Sequence, residues 1–156
     1  MIDYGLDPAR PRDGAAVYWR SLMSYPSILY IEDNPGNRLL VRRVLEACGY
    51  EVFEATDGSS GLRAATELNL DLILLDINLP EVHGYELAGR FRGMAHLDRV
   101  PVVAVTSNVM KGDRERALEA GCDGYIPKPI DIDRLPSQIE RVLRQRGRQG
   151  FGHYAA

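Results

Sequence analysis

Two short runs of the chain, residues 72–75 (LILL) and 100–105 (VPVVAV), are apolar throughout. A strand that is apolar on both faces must be covered on both faces, which is typical of the middle of a parallel sheet. Three further strands are predicted at residues 27–31, 50–55 and 125–126, and segments with helical periodicity separate all five. Strands that alternate with single helices form right-handed βαβ units, so the sequence predicts an α/β fold with a doubly wound parallel sheet.

Capping residues predict where several helices begin and end. Asn34 followed by Pro35 is typical of a helix start, and Gly49 fits the position just after that helix ends. The other helices are predicted over residues 59–67, 85–92 and 112–121, and from Asp131 onward. The last helix carries a predicted apolar stripe of Ile132, Leu135, Ile139, Val142 and Leu143. Pro127 would interrupt a central ladder, so we expect the fifth strand at the sheet edge.

The chain of 156 residues has room for one compact domain, which we place at residues 27–146. Residues 1–26 are expected to form an N-terminal extension that is either flexible or contains a short helix. Met23 lies just before the first strand, so an alternative is that residues 1–22 are an added segment. Residues 147–156 are expected to form a flexible tail.

Charge and composition argue against several classes of function. A net charge of −3 at pH 7 does not favour nucleic acid or an anionic membrane as a partner. No apolar run approaches about 18 residues and no signal-peptide pattern is present, so we expect a cytoplasmic location. Cys48 and Cys122 are expected to be buried, reduced thiols. The histidines share no spacing typical of metal ligands.

Polar residues stand at the ends of the predicted strands, where ligands bind in doubly wound sheets. These residues are Glu32, Asp33, Asp76, Thr106 and Lys128. Clustered carboxylates repel one another unless a cation lies among them, and a set of oxygen ligands suits Mg²⁺. An aspartate can also attack phosphorus, while a metal and a lysine offset charge on the transferring group. The pattern predicts a phosphoryl-transfer site in which the protein itself is the acceptor.

Four segments carry a family resemblance: residues 28–34 (ILYIEDN), 72–80 (LILLDINLP), 102–107 (VVAVTS) and 121–129 (GCDGYIPKP). Together they resemble the receiver domain of bacterial two-component response regulators, over residues 27–146. The resemblance implies five helices around a five-stranded sheet with the flavodoxin-like order 2-1-3-4-5. Residues 110–116 are also similar to single-domain regulators of cell division and polarity, and to receivers attached to hybrid kinases.

The resemblance implies a role for each residue of the site. Asp76 is the phosphoacceptor, and Lys128, which precedes an expected cis bond to Pro129, contacts the phosphoryl group. The implied Mg²⁺ ligands are Glu32, Asp33, Asp76 and the backbone carbonyl of Asn78. Thr106 and Tyr125 are implied to form a switch, in which Thr106 moves to the phosphate and the tyrosine rotamer follows.

The implied partners are a histidine kinase, a histidine phosphotransfer protein or both, together with a downstream protein target. Too few residues follow position 146 for an effector domain, so we expect the signal to leave through the face built from the fourth helix, fifth strand and fifth helix. A homodimer through that face and a relay to a phosphotransfer protein are open alternatives. The chain is then a self-catalysed phosphoacceptor rather than an enzyme, and neither nucleic acid nor membrane is an expected partner.

Three other classes of protein share parts of this pattern. Phosphatases with an aspartate nucleophile need a second aspartate two residues later, where this chain has Asn78. A flavin-binding module needs a phosphate-cradling loop after the first strand, where Glu32 and Asp33 would repel a phosphate unless a cation intervened. A pseudo-receiver that acts as a structural adaptor would lack at least one of the five site residues, and all five are present.

Overall fold

In the computed structural model, residues 25–107 and 112–154 are described, with residues 147–154 described by their backbone alone. Within these ranges five strands alternate with five α-helices, and a short 3-10 helix (Ala95–Leu97) precedes the fourth strand. The strands are β1 (Ser27–Ile31), β2 (Glu51–Ala55), β3 (Leu72–Asp76), β4 (Val102–Thr106) and β5 (Gly124–Pro127). The helices are α1 (Pro35–Ala47), α2 (Gly58–Glu67), α3 (Gly84–Arg92), α4 (Asp113–Glu119) and α5 (Leu135–Tyr154).

The strands form one parallel sheet in the order β2-β1-β3-β4-β5. Every residue of β1, β3 and β4 is buried, as expected for strands that are covered on both faces. The β5 strand lies at the sheet edge and ends at Pro127, where the missing N–H of a proline is tolerated. The predicted fold class and strand order are therefore confirmed.

Two apolar cores cover the two faces of this sheet. Alternate residues of β1 enter opposite cores, because successive side chains of a strand point to opposite faces. Ile28 and Tyr30 pack with the α1 and α5 layer, whereas Leu29 and Ile31 pack with the layer of α2, α3 and α4. The sheet is thus held between two helical layers, with the carboxyl ends of all strands at one edge.

Local capping explains the start of the helices on either side of the site. The Asn34 side chain accepts a hydrogen bond from the Asn37 backbone N–H (3.0 Å), and Pro35 occupies the first helical position of α1. Asp57 and Ser60 form a reciprocal capping box at the start of α2. These bonds satisfy N–H groups that have no partner within the first turn of a helix.

The last helix begins later than its apolar stripe predicts, at Leu135 rather than at Asp131. The Asp131 side chain instead caps a turn by accepting bonds from the Asp133 and Arg134 backbone N–H groups (3.0 and 3.3 Å). Pro136 has no N–H to donate back to residue 132, so the regular ladder starts only after this turn. Ile132 is consequently exposed and does not belong to the buried stripe.

The two cysteines differ in burial. Cys48 ends α1 and is exposed, so the expectation of a buried thiol was wrong for this residue. Cys122 is buried, and both thiols are free.

The backbone of α5 continues past residue 146 to Tyr154, while the flexibility of the tail at 147–156 stays a prediction. Residues 1–24, 108–111 and 155–156 lie outside the described part. In the described part, no helix combines the length and apolarity that a bilayer crossing requires.

Candidate functional site

The predicted site residues meet at the carboxyl edge of the sheet. Asp76 is the last residue of β3 and Thr106 the last of β4, while Glu32 and Asp33 directly follow β1. The ladder continues into this edge, because the Glu32 N–H donates to the Ala55 carbonyl (3.0 Å). The pairing of β1 with β2 therefore extends to Glu32, the first residue of the site.

Three carboxylates form the centre of the site. Glu32, Asp33 and Asp76 each offer an oxygen that lies within 4.8 Å of the other two. Glu32 and Asp76 are each 1% exposed, whereas Asp33 is open to solvent. A cation entering from solvent would therefore meet Asp33 first and the two buried carboxylates behind it.

Lys128 joins two of these carboxylates. Its Nζ lies 3.0 Å from Asp76 Oδ2 and 3.3 Å from Glu32 Oε2. Its backbone N–H donates to the Thr106 carbonyl (2.7 Å), and its peptide bond to Pro129 is cis, as expected. The fifth strand thus delivers a positive charge into the gap between β1 and β3.

The ionisation of this cluster follows from burial and close charges. Burial raises the pKa of Glu32 above its ordinary value, and the hydrogen bond with Asp76 and the charge of Asp76 add to the increase, while Asn37 and Lys128 oppose it. Burial lowers the pKa of Lys128, but its hydrogen bonds and charge interactions with Asp76 and Glu32 together raise it. The lysine therefore stays protonated, and the site holds closely spaced carboxylates that a second cation would stabilise.

Asn78 lies over the other side of Asp76. Its backbone N–H donates to Asp76 Oδ1 (2.9 Å), and its side-chain Nδ2 donates to Ser107 Oγ (3.0 Å). Lys128 and Asn78 thus contact different oxygens of the same carboxylate. This orients Asp76 so that the carboxylate can present an oxygen lone pair to an electrophile.

Three residues beside the site were not predicted from the sequence, and the first two lie in α1. Asn37 donates from Nδ2 to Glu32 Oε1 (3.0 Å), and Arg38 donates from one guanidinium nitrogen to the carbonyls of Glu32 and Asp33 (2.8 and 2.9 Å). Both lie in the first turn of α1, which starts immediately after the acidic pair. The predicted helix start at Pro35 is the signal that could have placed these side chains beside the strand end.

A third missed residue, Tyr30, lies below the carboxylates in the buried part of β1. Its hydroxyl has no hydrogen-bond partner among the described residues. Burial raises the pKa of this phenol, and the nearby charges of Glu32 and Asp76 raise it further. The tyrosine therefore remains neutral. The sequence does not indicate that Tyr30 lies near the carboxylates, because a tyrosine in a buried strand is also an ordinary core residue.

The predicted switch residues occupy adjacent strands. Thr106 is 1% exposed, and its neighbour across the β4–β5 ladder is Pro127, whereas Tyr125 pairs with Ala104. Tyr125 is partly buried against the core beneath α4. The two residues therefore lie on neighbouring strands close to the site, and their coupled movement stays a prediction.

The donor set fits a small divalent cation. All three converging side chains offer carboxylate oxygens, the ligands that Mg²⁺ prefers, and one of them faces solvent. Proteins bind this ion through a few carboxylates while it keeps several waters, so a partly open group is sufficient. Chemically, the site combines an oriented aspartate, a protonated lysine and room for a metal beside them.

Comparison with known proteins agrees with this geometry. The sequence model of the protein family described as the response regulator receiver domain matches residues 28–140 of this chain. The chain is 43% identical over 117 residues to the polar-differentiation response regulator DivK of Brucella ovis and of Brucella anthropi, a match that covers 75% of this chain and 95% of those proteins.

Solved structures share the fold. Chemotaxis response regulator CheY4 of Vibrio cholerae superposes with a TM-score of 0.73 at 26% identity, covering 76% of this chain and 98% of that chain. The receiver domain of sensor histidine kinase PA1611 from Pseudomonas aeruginosa, solved with a magnesium ion coordinated in its active site cleft, gives 0.70 at 35% identity with the same coverage. The extent of the family match and the identity to whole regulators show that this chain belongs to the response regulator receiver domain family.

Proposed function

We propose that the chain is a phosphorylation switch in which Asp76 accepts a phosphoryl group from a histidine kinase or a histidine phosphotransfer protein. The observation that carries this proposal is the environment of the Asp76 carboxylate. It is buried at the end of the central strand, with Lys128 at 3.0 Å from one oxygen and the Asn78 N–H at 2.9 Å from the other. This is a carboxylate oriented for reaction beside a fixed positive charge.

The transfer forms a bond between a carboxylate oxygen of Asp76 and phosphorus. The bond from phosphorus to the donor breaks, and the donor nitrogen or oxygen leaves with the electron pair. Lys128 lies close enough to offset negative charge on the transferring group. Water then hydrolyses the acyl phosphate and restores the Asp76 carboxylate. Because both reactions take place on the protein's own side chain, the chain is a phosphoacceptor switch rather than an enzyme that turns over a separate substrate.

Magnesium is the metal we propose for this site. Its ligands would be Glu32, Asp33 and Asp76 together with the backbone carbonyl of Asn78. When bound, Mg²⁺ would neutralise charge on the phosphoryl oxygens. Asn37 supports this role, since its bond to Glu32 Oε1 holds that carboxylate against the cluster.

The test is incubation of the purified protein with Mg²⁺ and acetyl phosphate, followed by intact mass. The wild-type protein should gain one phosphoryl group, and EDTA should abolish the gain. Asp76→Asn preserves the shape of the side chain but removes the nucleophilic carboxylate, so it should gain none. Asp133→Asn is the matched control, since Asp133 is exposed on the connection to α5, and it should react like the wild type. Phosphorylation that persists in Asp76→Asn would refute the proposal.

We also propose that the modified chain signals through the face formed by α4, β5 and α5. A surface pocket of about 260 Å³ opens between α4 and β5 on this face, and Leu118 in its lining is 52% exposed, which supports a protein contact there. The pocket is lined by Arg114, Ala117, Leu118, Asp123, Gly124 and Tyr125. The Thr106 and Tyr125 switch would couple Asp76 to this face. Light scattering measures the molar mass of the purified protein with and without acetyl phosphate. A doubled mass after phosphorylation would support a homodimer, and an unchanged mass would favour contact with a different downstream protein.

An intracellular location is part of the same proposal. Cys48 and Cys122 are free thiols, which agrees with a reducing compartment. A phosphotransfer assay with a histidine phosphotransfer protein separates a relay from an output regulator. Return of labelled phosphoryl from Asp76 to that protein's histidine would support the relay.

A further inference from the structure

Asn78 is fastened to the site at two points. Its backbone N–H donates to Asp76 Oδ1 (2.9 Å), and its side-chain carboxamide donates to Ser107 Oγ (3.0 Å). The second bond joins the turn after β3 to the residue that follows β4. It therefore bridges two loops at the mouth of the site, 29 positions apart in the chain.

The backbone just before Asn78 is already fixed. The Ile77 N–H donates to the Val105 carbonyl, and the Ile77 carbonyl accepts from the Gly84 N–H, both at 3.0 Å. Beyond this point the turn leaves the sheet ladder and becomes exposed at Asn78. Among the described residues, Asn78 is therefore restrained by a local bond to Asp76 and by a tertiary bond to Ser107.

We propose that Ser107 is a positioning residue of the metal site. By accepting the hydrogen bond from the Asn78 carboxamide, its hydroxyl holds the turn in the conformation that presents the Asn78 carbonyl to Mg²⁺. This inference rests on the proposed function, because it assigns a support to a ligand of the proposed Mg²⁺ site. Ser107 would act through Asn78 and is not itself proposed as a metal ligand.

The physical basis is preorganisation. The bond exists before any metal binds, so the turn does not have to be ordered at the moment of binding. A hydrogen bond between exposed side chains contributes modestly, and its loss should weaken Mg²⁺ binding by about three- to tenfold. Ser107→Ala deletes the acceptor, whereas Ser107→Thr keeps a hydroxyl at the same position and should retain the wild-type affinity.

The experiment is calorimetric titration of Mg²⁺ into five proteins: the wild type, Ser107→Ala, Ser107→Thr, Asn78→Ala and the double variant of Ser107→Ala with Asn78→Ala. Asn78→Ala keeps the backbone N–H and carbonyl but removes the carboxamide, so Ser107→Ala should have no further effect in that background. Hydrogen exchange at the Asn78 amide in the metal-free protein provides a second measurement, and exchange should be faster in Ser107→Ala. Both residues are exposed, and urea unfolding checks that each variant is folded.

The outcomes separate the inference from the proposed function. Equal Mg²⁺ affinity in the wild type and Ser107→Ala would overturn the positioning role and leave the proposed function intact. Additive losses in the double variant, or a loss in Ser107→Thr as large as in Ser107→Ala, would also overturn it. A wild-type protein that neither binds Mg²⁺ nor gains a phosphoryl group would overturn the proposed function and this inference with it.

Discussion

Replacing Gly84 by alanine should damage both the stability and the chemistry of the site. Gly84 is the first residue of α3 and is buried against the end of β3. A Cβ at this position would lie 2.5 Å from Ile77 Cα and 3.0 Å from the Asp76 carbonyl oxygen. Both atoms belong to the backbone, so no rotation of a side chain can relieve the contact. Either α3 or the strand end that carries Asp76 must move.

The magnitude follows from the cost of overpacking a well-packed interior, about 1–3 kcal/mol in the free energy of unfolding. The same helix offers a matched control. Gly89 is exposed, and a Cβ there would meet no atom within 4 Å. Gly89→Ala should therefore stabilise the protein by about 0.5–1 kcal/mol, because alanine has the higher helix propensity.

Urea unfolding followed by circular dichroism measures both variants, and the initial rate of phosphoryl gain from acetyl phosphate reports on Asp76. Gly84→Ala should unfold at lower urea and react more slowly, while Gly89→Ala should react at the wild-type rate. If Gly84→Ala were as stable as Gly89→Ala, the close approach of α3 to the end of β3 would not constrain this position, and the reasoning would be refuted.

Three further substitutions test the electrostatics and packing around the site. Lys128→Met leaves the buried Asp76 without its ammonium partner and should lower the free energy of unfolding by on the order of 3 kcal/mol. Mg²⁺ should restore part of the lost stability, and an equal loss with and without Mg²⁺ would contradict the electrostatic explanation. Burial raises the pKa of Cys122 to about 12, so the folded state keeps a proton that the unfolded state loses above about pH 8.5, and stability falls as pH rises from there. Unfolding from pH 8 to 10 should therefore show a shallower decline in Cys122→Ala than in the wild type, and an equal decline in the two proteins would contradict this reasoning. Tyr30→Phe removes a buried hydroxyl without a described partner and should stabilise the protein by about 1 kcal/mol in thermal unfolding; a destabilised variant would show that the hydroxyl is bonded in solution.

Much of the site could be predicted because parallel strands bring their carboxyl ends to one edge. Once β1, β3, β4 and the strand before Lys128 were recognised, the acidic pair, Asp76 and the lysine had to approach one another. The exposed group Asp33 and the buried group Glu32 are adjacent in the chain, however, and the sequence does not distinguish them. In the structure Glu32 is buried and accepts a hydrogen bond from Asn37 of α1, a contact between separate elements that spacing along the chain does not specify.

The boundaries of α5 show where periodicity fails. The spacing of Ile132 and Leu135 fits one helical face, yet the Asp131 side chain and Pro136 place Ile132 in an exposed turn. Local hydrogen bonding of an aspartate competes with the helix, and an apolar pattern does not record that competition.

The sequence by itself determined the α/β class, the family resemblance and the residues of the candidate site, because these depend on local patterning and on the order of strands along the chain. Only the tertiary structure decided how the site is held together. The bond from Asn78 to Ser107, the support of Glu32 by Asn37 and the contact of Gly84 with Ile77 join residues of different strands, turns and helices. Such contacts depend on side-chain directions and on distances of a few ångströms between packed elements, which spacing along the chain does not specify.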